Sequence, residues 1–320
     1  MWVKRSMPLR IVFFGTAELA CASLEALAAA PEFQVVAVVT QPDKPRGRDL
    51  RLQPSAVKAT ALRMGLRVLQ PKRAREESFI AEVRELAPDL SVVVAYGQIL
   101  PQSLLDVPKH GSLNVHTSLL PKHRGAAPIQ WAILEGDSET GVTIMKMDAG
   151  LDTGPILAER RTPISQEDTS QTLHDRLARI GAQLLVDTIP RWVRGEITPR
   201  AQPEGATYAR KIEKADGLIN WEEPAELIAR KLRAFTPWPG GYTFLDVGGV
   251  RRMIKVLEAR ADALDGKAGA VLAASRDGIV VGAGLGSLRI TALQPEGKKR
   301  MSAQEYLAGN PLSTGQVFTR

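Results

Sequence analysis

Ile11-Val12-Phe13-Phe14-Gly15 is an apolar run of strand length, and two more, Val35–Thr40 and Ser91–Tyr96, follow it. Between them lie segments with helical patterns: Glu18–Ala30, Ser55–Met64 and Glu76–Leu86. Strands that alternate with helices predict a parallel sheet covered on both faces. Gly111–His116 reads as the next strand, Pro128–Leu134 as a short helix and Val142–Met147 as a further strand. The expected fold class is therefore α/β, a Rossmann-like, mostly parallel sheet. In such sheets ligands bind beyond the carboxyl ends of the strands, where Asn114, His116 and the segment 148–152 are expected to fall.

Gly15-Thr16-Ala17-Glu18 invites a dinucleotide reading and fails it. Only one glycine of the G-x-G-x-x-G fingerprint is present, and the second strand ends in Thr40-Gln41 rather than in an acid for a ribose. Gly15 is expected instead to let the first helix start close to the sheet.

The chemistry is concentrated in Asn114-Val115-His116-Thr117-Ser118-Leu119-Leu120-Pro121 and, downstream, Asp148-Ala149-Gly150-Leu151-Asp152-Thr153-Gly154. Asn114 and His116 lie two apart, so on an extended strand their side chains face the same way. An amide donor, an imidazole and a carboxylate are the groups needed to carry an acyl carbonyl through a tetrahedral intermediate. Asp152, in a Gly-rich loop, is expected to orient the imidazole and favour its protonated form. Taken singly, each of the three is more often a turn former or a satisfied core group.

Composition narrows the classes further. At 320 residues the chain accommodates two domains, and 44% hydrophobic content suffices to bury both. A single cysteine, Cys21, excludes an intramolecular disulfide and fits a reducing cytosol; its flanks place it on a helix as a small buried residue. Residues 1–8 read as a loose leader, with Met1 or Met7 as the start, and no run approaches the length of a transmembrane helix. A cytoplasmic protein without a membrane partner is expected. The four histidines are scattered without ligand spacing, so no metal is expected.

The net charge of +7 is unevenly placed. Residues 41–75 hold ten Lys/Arg against two acids, and residues 251–300 hold ten against five, leaving the rest of the chain net acidic. Two basic patches on an acidic body point to a polyanion, RNA first, unless they are only solvated helix faces. Thr169–Arg194 reads as a long amphipathic helix, and Gly195–Gly205, with Pro199 and Pro203, as a linker. Beyond Tyr208, the helix Ala225–Phe235 is joined by short alternating segments (Tyr242–Val247, Met253–Ala259, Gly278–Val281, Leu288–Leu293) cut by Gly-Gly and Asp-Gly turns. That pattern predicts a small antiparallel, OB-like barrel.

Asn-x-His-x-Ser-Leu-Leu-Pro with a later Asp-x-Gly-x-Asp-Thr-Gly resembles the site of the 10-formyltetrahydrofolate-dependent formyltransferases. Over nearly the whole chain the resemblance is to the methionyl-tRNA formyltransferases. Thr40-Gln41-Pro42-Asp43-Lys44-Pro45-Arg46-Gly47-Arg48 is similar to their tRNA-contacting loop, Lys211–Trp221 to the entry of their C-terminal domain, and Arg230–Gly240 to that domain's first helix and turn. Formyltransferases of purine synthesis share the first domain but lack the basic barrel. The chain departs from the family at Ala17 and Leu19, where Pro and Phe are usual, and at Asp49-Leu50-Arg51, where a more basic stretch is common.

The resemblance implies that Asn114, His116 and Asp152 are catalytic. It implies that Ser118, Leu119, Leu120 and Pro121 border the tetrahydrofolate, with the backbone around 94–97, Tyr96 and Gly97 included, and around 148–152 cradling the pterin. Arg48, with Lys44 and Arg46, would meet the acceptor end of initiator methionyl-tRNA. Residues 1–194 would form the catalytic domain, 195–207 the linker and 208–320 the tRNA-binding barrel of a monomeric enzyme. Two alternatives stay open: a formyltransferase acting on a nucleotide-linked amino sugar, which needs no basic loop, and a noncatalytic RNA-binding protein on the same scaffold.

Overall fold

The computed structural model describes residues 7–46 and 51–320. The chain forms two compact units. The first takes the chain up to Pro128 with Glu139–Pro163 and His174–Ala209; the second takes Ile129–Ser138, Ile164–Leu173 and Arg210–Arg320.

The first unit is built on a seven-stranded sheet in the order Ile156–Pro163, Glu139–Lys146, Ser112–His116, Leu90–Val94, Leu9–Gly15, Phe33–Val39, Val68–Leu69. The last five run parallel. Leu90–Val94 is buried throughout, as a strand covered on both faces must be. The helix Leu19–Ala29 starts tight against the sheet: a Cβ on Gly15 would lie 2.9 Å from Ala20 Cβ and 3.2 Å from the Val94 carbonyl. Ser55 caps the next helix, Ala56–Arg63, by accepting from the Lys58 N–H at 3.0 Å. Cys21 is half-buried on the first helix, and burial pushes its thiol up.

Toward the other edge, Glu139–Lys146 runs antiparallel to both of its neighbours, Ser112–His116 and Ile156–Pro163; the segment joining Lys146 to Ile156 is too short for a crossover, which makes that last pair a hairpin. This changes how the site is assembled. Lys146 pairs with Leu113 and Thr143 with His116, so the loop that carries Asp152 leaves the sheet beside the start of the Ser112–His116 strand, not beyond its carboxyl end. Asp152 therefore reaches Asn114 and His116 across one face of that strand. The opposite face is closed by the helix Ser170–Val193, whose Gly181 packs on Val115 so closely that a Cβ would lie 2.9 Å from Val115 Cγ1.

The basic segment read as a loop carries a short antiparallel ladder, with Lys44 opposite Gln53 and Arg46 opposite Arg51. The segment 195–207 is largely without helix or strand, yet it is bonded along the first unit. Arg200 and Ile156 exchange both backbone hydrogen bonds, at 2.7 and 2.9 Å. Tyr208–Ala209 then pairs in parallel with Arg124–Gly125.

In the second unit an antiparallel sheet runs Val271–Ser275, Gly278–Gly282, Ser287–Pro295, Val250–Asp262, Gly241–Val247, Phe318–Thr319. It curls until its edges meet: Val271 N–H donates to the Gln316 carbonyl at 2.8 Å and Phe318 N–H to the Gly269 carbonyl at 2.7 Å. Trp221, Ile254, Ile279, Leu288, Tyr306 and Phe318 fill the interior, and the helix Ala225–Ala234 lays Ile228 and Leu232 on it. No helix of the described residues is long and apolar enough to cross a membrane.

Gly141 tests how tightly the antiparallel edge is built. A Cβ there would lie 2.3 Å from the Arg160 carbonyl oxygen of the neighbouring strand and 2.6 Å from Leu119 Cδ2. Gly141→Ala is expected to destabilise the protein by about 1–3 kcal/mol through overpacking. Denaturant unfolding checks this as a lowered midpoint with an unchanged slope; a midpoint equal to wild type would show that the edge yields freely.

Candidate active site

Alternation along the Ser112–His116 strand puts Asn114 and His116 on one face, and both meet the same carboxylate. Asn114 Nδ2 donates to Asp152 Oδ1 at 3.4 Å. His116 Nδ1 stands 3.8 Å from Asp152 Oδ2. The ring is buried, and its other nitrogen, Nε2, lies 2.9 Å from the His123 carbonyl oxygen. A carbonyl only accepts, so Nε2 carries a hydrogen and Nδ1 is the nitrogen left facing the carboxylate.

Two local distortions make this possible. His123 has φ +57 and Asp152 φ +53, both in the left-handed region that side chains rarely adopt. The first aims a carbonyl at the imidazole; the second belongs to the turn that brings the carboxylate back over the strand. Strained backbone of this kind persists only where its surroundings over-determine it.

Several of those surroundings escaped sequence reasoning. Gly125 N–H donates to Asp152 Oδ2 at 2.8 Å. With φ +112, and with a Cβ that would meet the Ala209 carbonyl oxygen at 2.8 Å, that position requires glycine. His123 N–H donates to Thr207 Oγ1 at 2.9 Å. Gln202 bonds both the Asp152 loop and Arg124. The one available signal was the Arg-Gly-Ala-Ala run after the first motif, since a glycine there marks a close backbone approach.

The structure divides the residues expected to border the folate. Ser118 is buried, donating from its hydroxyl to the Lys122 carbonyl at 2.6 Å, and Leu120 packs on Met145 and Ile156. Leu119 and Pro121 are partly exposed. Tyr96 turns its ring into the core, edge-on to Phe14 with centroids 5.6 Å apart, and burial pushes its hydroxyl up to about 12. What this segment presents is backbone. The Tyr96 carbonyl accepts from Thr16 Oγ1 and Gln41 Nε2, each at 2.8 Å, and Gly97 follows with φ +81.

Of the basic residues, Lys44 is exposed and donates to Gln41 Oε1 at 2.7 Å. Arg46 lies in the short ladder, and Arg48 lies outside the described residues. The base of the segment is anchored by Asp43, paired to Lys58 at 2.7 Å and bonded by Gln70. The Lys58 ammonium holds that carboxyl below the usual range.

Comparison with known proteins adds the lineage. The "Formyl transferase" family model matches residues 9–189, and the "Formyl transferase, C-terminal domain" model matches residues 211–311. The methionyl-tRNA formyltransferase of Citrifermentans bemidjiense is 50% identical over 97% of this chain and 96% of its own. That of Myxococcus xanthus is 50% identical over 96% of each. Among solved structures, the N-formyltransferase of Helicobacter canadensis, in complex with folinic acid and dTDP-3-aminofucose, has a TM-score of 0.65 at 20% identity, covering 88% of this chain and 98% of that one. HypX of Aquifex aeolicus with tetrahydrofolic acid has a TM-score of 0.61 at 19% identity, covering 98% of this chain and 51% of its own. At such low identity these two likenesses concern the fold alone. Matched by family models across both of its halves and half-identical end to end to those relatives, this chain belongs to the formyl transferase family.

Proposed function

We propose that this chain transfers the formyl group of 10-formyltetrahydrofolate to the α-amino group of methionine on initiator methionyl-tRNA, for translation initiation. The observation that carries the reading is the meeting of Asn114, His116 and Asp152 within 3.4–3.8 Å, in a chain about half-identical to relatives named for that activity. Folate is a substrate here, and the chemistry belongs to the side chains.

The neutral amine attacks the formyl carbon, and a tetrahedral centre with an oxyanion forms. The bond from that carbon to the folate nitrogen then breaks, and the proton shed by the attacking nitrogen ends on the departing one. Asn114 has a second amide hydrogen beyond the one it offers Asp152, and it serves as an oxyanion donor. His116, with Nε2 committed to a carbonyl, donates from Nδ1 when that nitrogen is protonated, and Asp152 beside it balances the charge. The 3.8 Å spacing exceeds a direct hydrogen bond and is at ion-pair distance, and a water beside the pair serves the proton leaving the amine.

Lys44, Arg46 and Arg48 would contact the acceptor end of the tRNA, while the basic barrel contributes phosphate contacts. Residues 1–194 would carry the chemistry and 208–320 the second RNA surface, joined through 195–207 in a monomeric, cytoplasmic enzyme without a metal.

His116→Ala and Asn114→Ala are each expected to lower kcat for methionyl-tRNA by about 10²–10³, the loss of one oxyanion donor, with tRNA binding unchanged. Asp152→Asn is expected to act in the same direction. Steady-state formylation and tRNA binding of the three variants check this; near-wild-type turnover by any two would overturn the assignment.

The tRNA loop is tested separately. Arg48→Ala is expected to lower kcat/KM for methionyl-tRNA about 10- to 100-fold, as loss of a bidentate contact does, with folate binding intact. Arg48→Lys should be nearly as damaging, because an ammonium cannot replace the planar fork. Arg46→Ala and Lys44→Ala should be milder. Rates within about twofold of wild type for both Arg48 variants, the size of an ordinary surface effect, would make the loop a solvated surface and leave recognition to the barrel.

A further inference from the structure

We propose that Gln202 is a positioning residue for the catalytic carboxylate: its side-chain amide fixes the backbone turn that aims Asp152 at Asn114 and His116. The inference deepens the formyl-transfer reading and rests on it.

Gln202 Nε2 donates to the Asp152 carbonyl at 2.7 Å and to the Gly154 carbonyl at 2.8 Å, so one amide spans the turn. Its Oε1 accepts from Arg124 Nε at 3.0 Å and Arg124 Nη2 at 2.6 Å. The orientation is unambiguous, since a guanidinium only donates and carbonyls only accept, and every hydrogen-bonding position of the amide is used. Asp152 is the residue with φ +53, and the Gln202 bond falls on that residue's own carbonyl. The turn is held from its other side as well: Gly154 sits so close to the sheet that a Cβ would lie 1.8 Å from the Lys146 carbonyl oxygen.

These contacts close a circuit. Arg124 grips Gln202, Gln202 grips the Asp152 backbone, the Asp152 side chain accepts from Gly125, and Gly125 follows Arg124 in the chain. The carboxylate is thus held at both ends, by its backbone through Gln202 and by its oxygen through Gly125. An interaction of this kind acts on geometry rather than on the reacting atoms. Displacement of a catalytic group by about 1 Å costs on the order of 10²-fold in rate.

Gln202→Glu tests it, because the variant keeps the shape and the Arg124 partner but turns an oxygen toward two carbonyl oxygens. Amide hydrogen exchange in residues 148–154 is expected to rise at least about tenfold, and kcat to fall about 10- to 100-fold, with KM for methionyl-tRNA within about twofold. In an Asp152→Asn background the same change should cost less than about twofold more, since the two act as a unit. Gln202→Met, which removes the donors without adding charge, should change exchange and kcat in the same direction. Exchange and kcat within about twofold of wild type in both variants would overturn the proposal. So would losses that add fully to that of Asp152→Asn, the mark of a general structural role. A wild-type protein that formylates no methionyl-tRNA would overturn the functional reading instead, and hydrogen exchange alone would then decide the role of Gln202.

Discussion

One carboxylate, accepting from a backbone N–H at 2.8 Å and set against an amide and an imidazole, is the contact on which the rest of the first unit depends. The sheet provides two of the three groups at no structural expense, since residues two apart on a strand share a face. The third must be carried in from a loop, and the local costs gather around it: left-handed backbone at His123 and Asp152, a glycine forced at 125, and a glycine at 154 packed onto the sheet. The left-handed backbone at His123 and at Asp152 costs about 1–3 kcal/mol each. The stretch 200–209 offsets that strain by bonding along the same edge, through Arg200, Gln202 and Thr207.

Much of this was legible in the residues. The alternation of apolar runs and helical patterns identified the strands Leu9–Gly15, Phe33–Val39 and Leu90–Val94, because burial on both faces leaves an unbroken apolar signature. Asn114 and His116 were readable from their spacing. Asp152 was expected to orient the imidazole from its Gly-rich loop, but its side of approach was not readable, because nothing local says where such a loop leaves the sheet: it comes from beside the strand's start, not from beyond its carboxyl end. The reversed direction of Glu139–Lys146 was hidden in the same way, since the apolar pattern of a strand does not say which way it runs. Gln202 and Thr207 were invisible, because their partners lie 50 and 84 residues away and include backbone atoms that have no sequence signature. Gly15 shows the opposite case, where failure of a fingerprint correctly left close packing as its role.

The charge count overstated what is free for RNA. In the stretch 41–75, Lys58 pairs with Asp43, Arg63 with Glu25 and Arg67 with Glu82. In the barrel, Arg289 pairs with Asp262 and Arg300 with Glu258. The exposed pairs among them, at Arg63, Arg67 and Arg300, contribute only about 0–1 kcal/mol to stability, but all five take cations out of the count available to a polyanion. Lys44, exposed and hydrogen-bonded only to a neutral amide among the contacts described, keeps its charge available at the edge of the loop. Long-range attraction from the two patches is screened within about 8 Å at physiological salt, so close contacts must supply selectivity.

The central claim is that the groups around Asp152 formylate an amine presented by methionyl-tRNA. The most direct measurement offers the wild-type protein 10-formyltetrahydrofolate with initiator methionyl-tRNA, with the same tRNA bearing an N-acetylated methionine, and with a nucleotide-linked amino sugar. Formylmethionyl-tRNA formed from the first alone is the result the account predicts. Formylation of the sugar with none of methionyl-tRNA would contradict it.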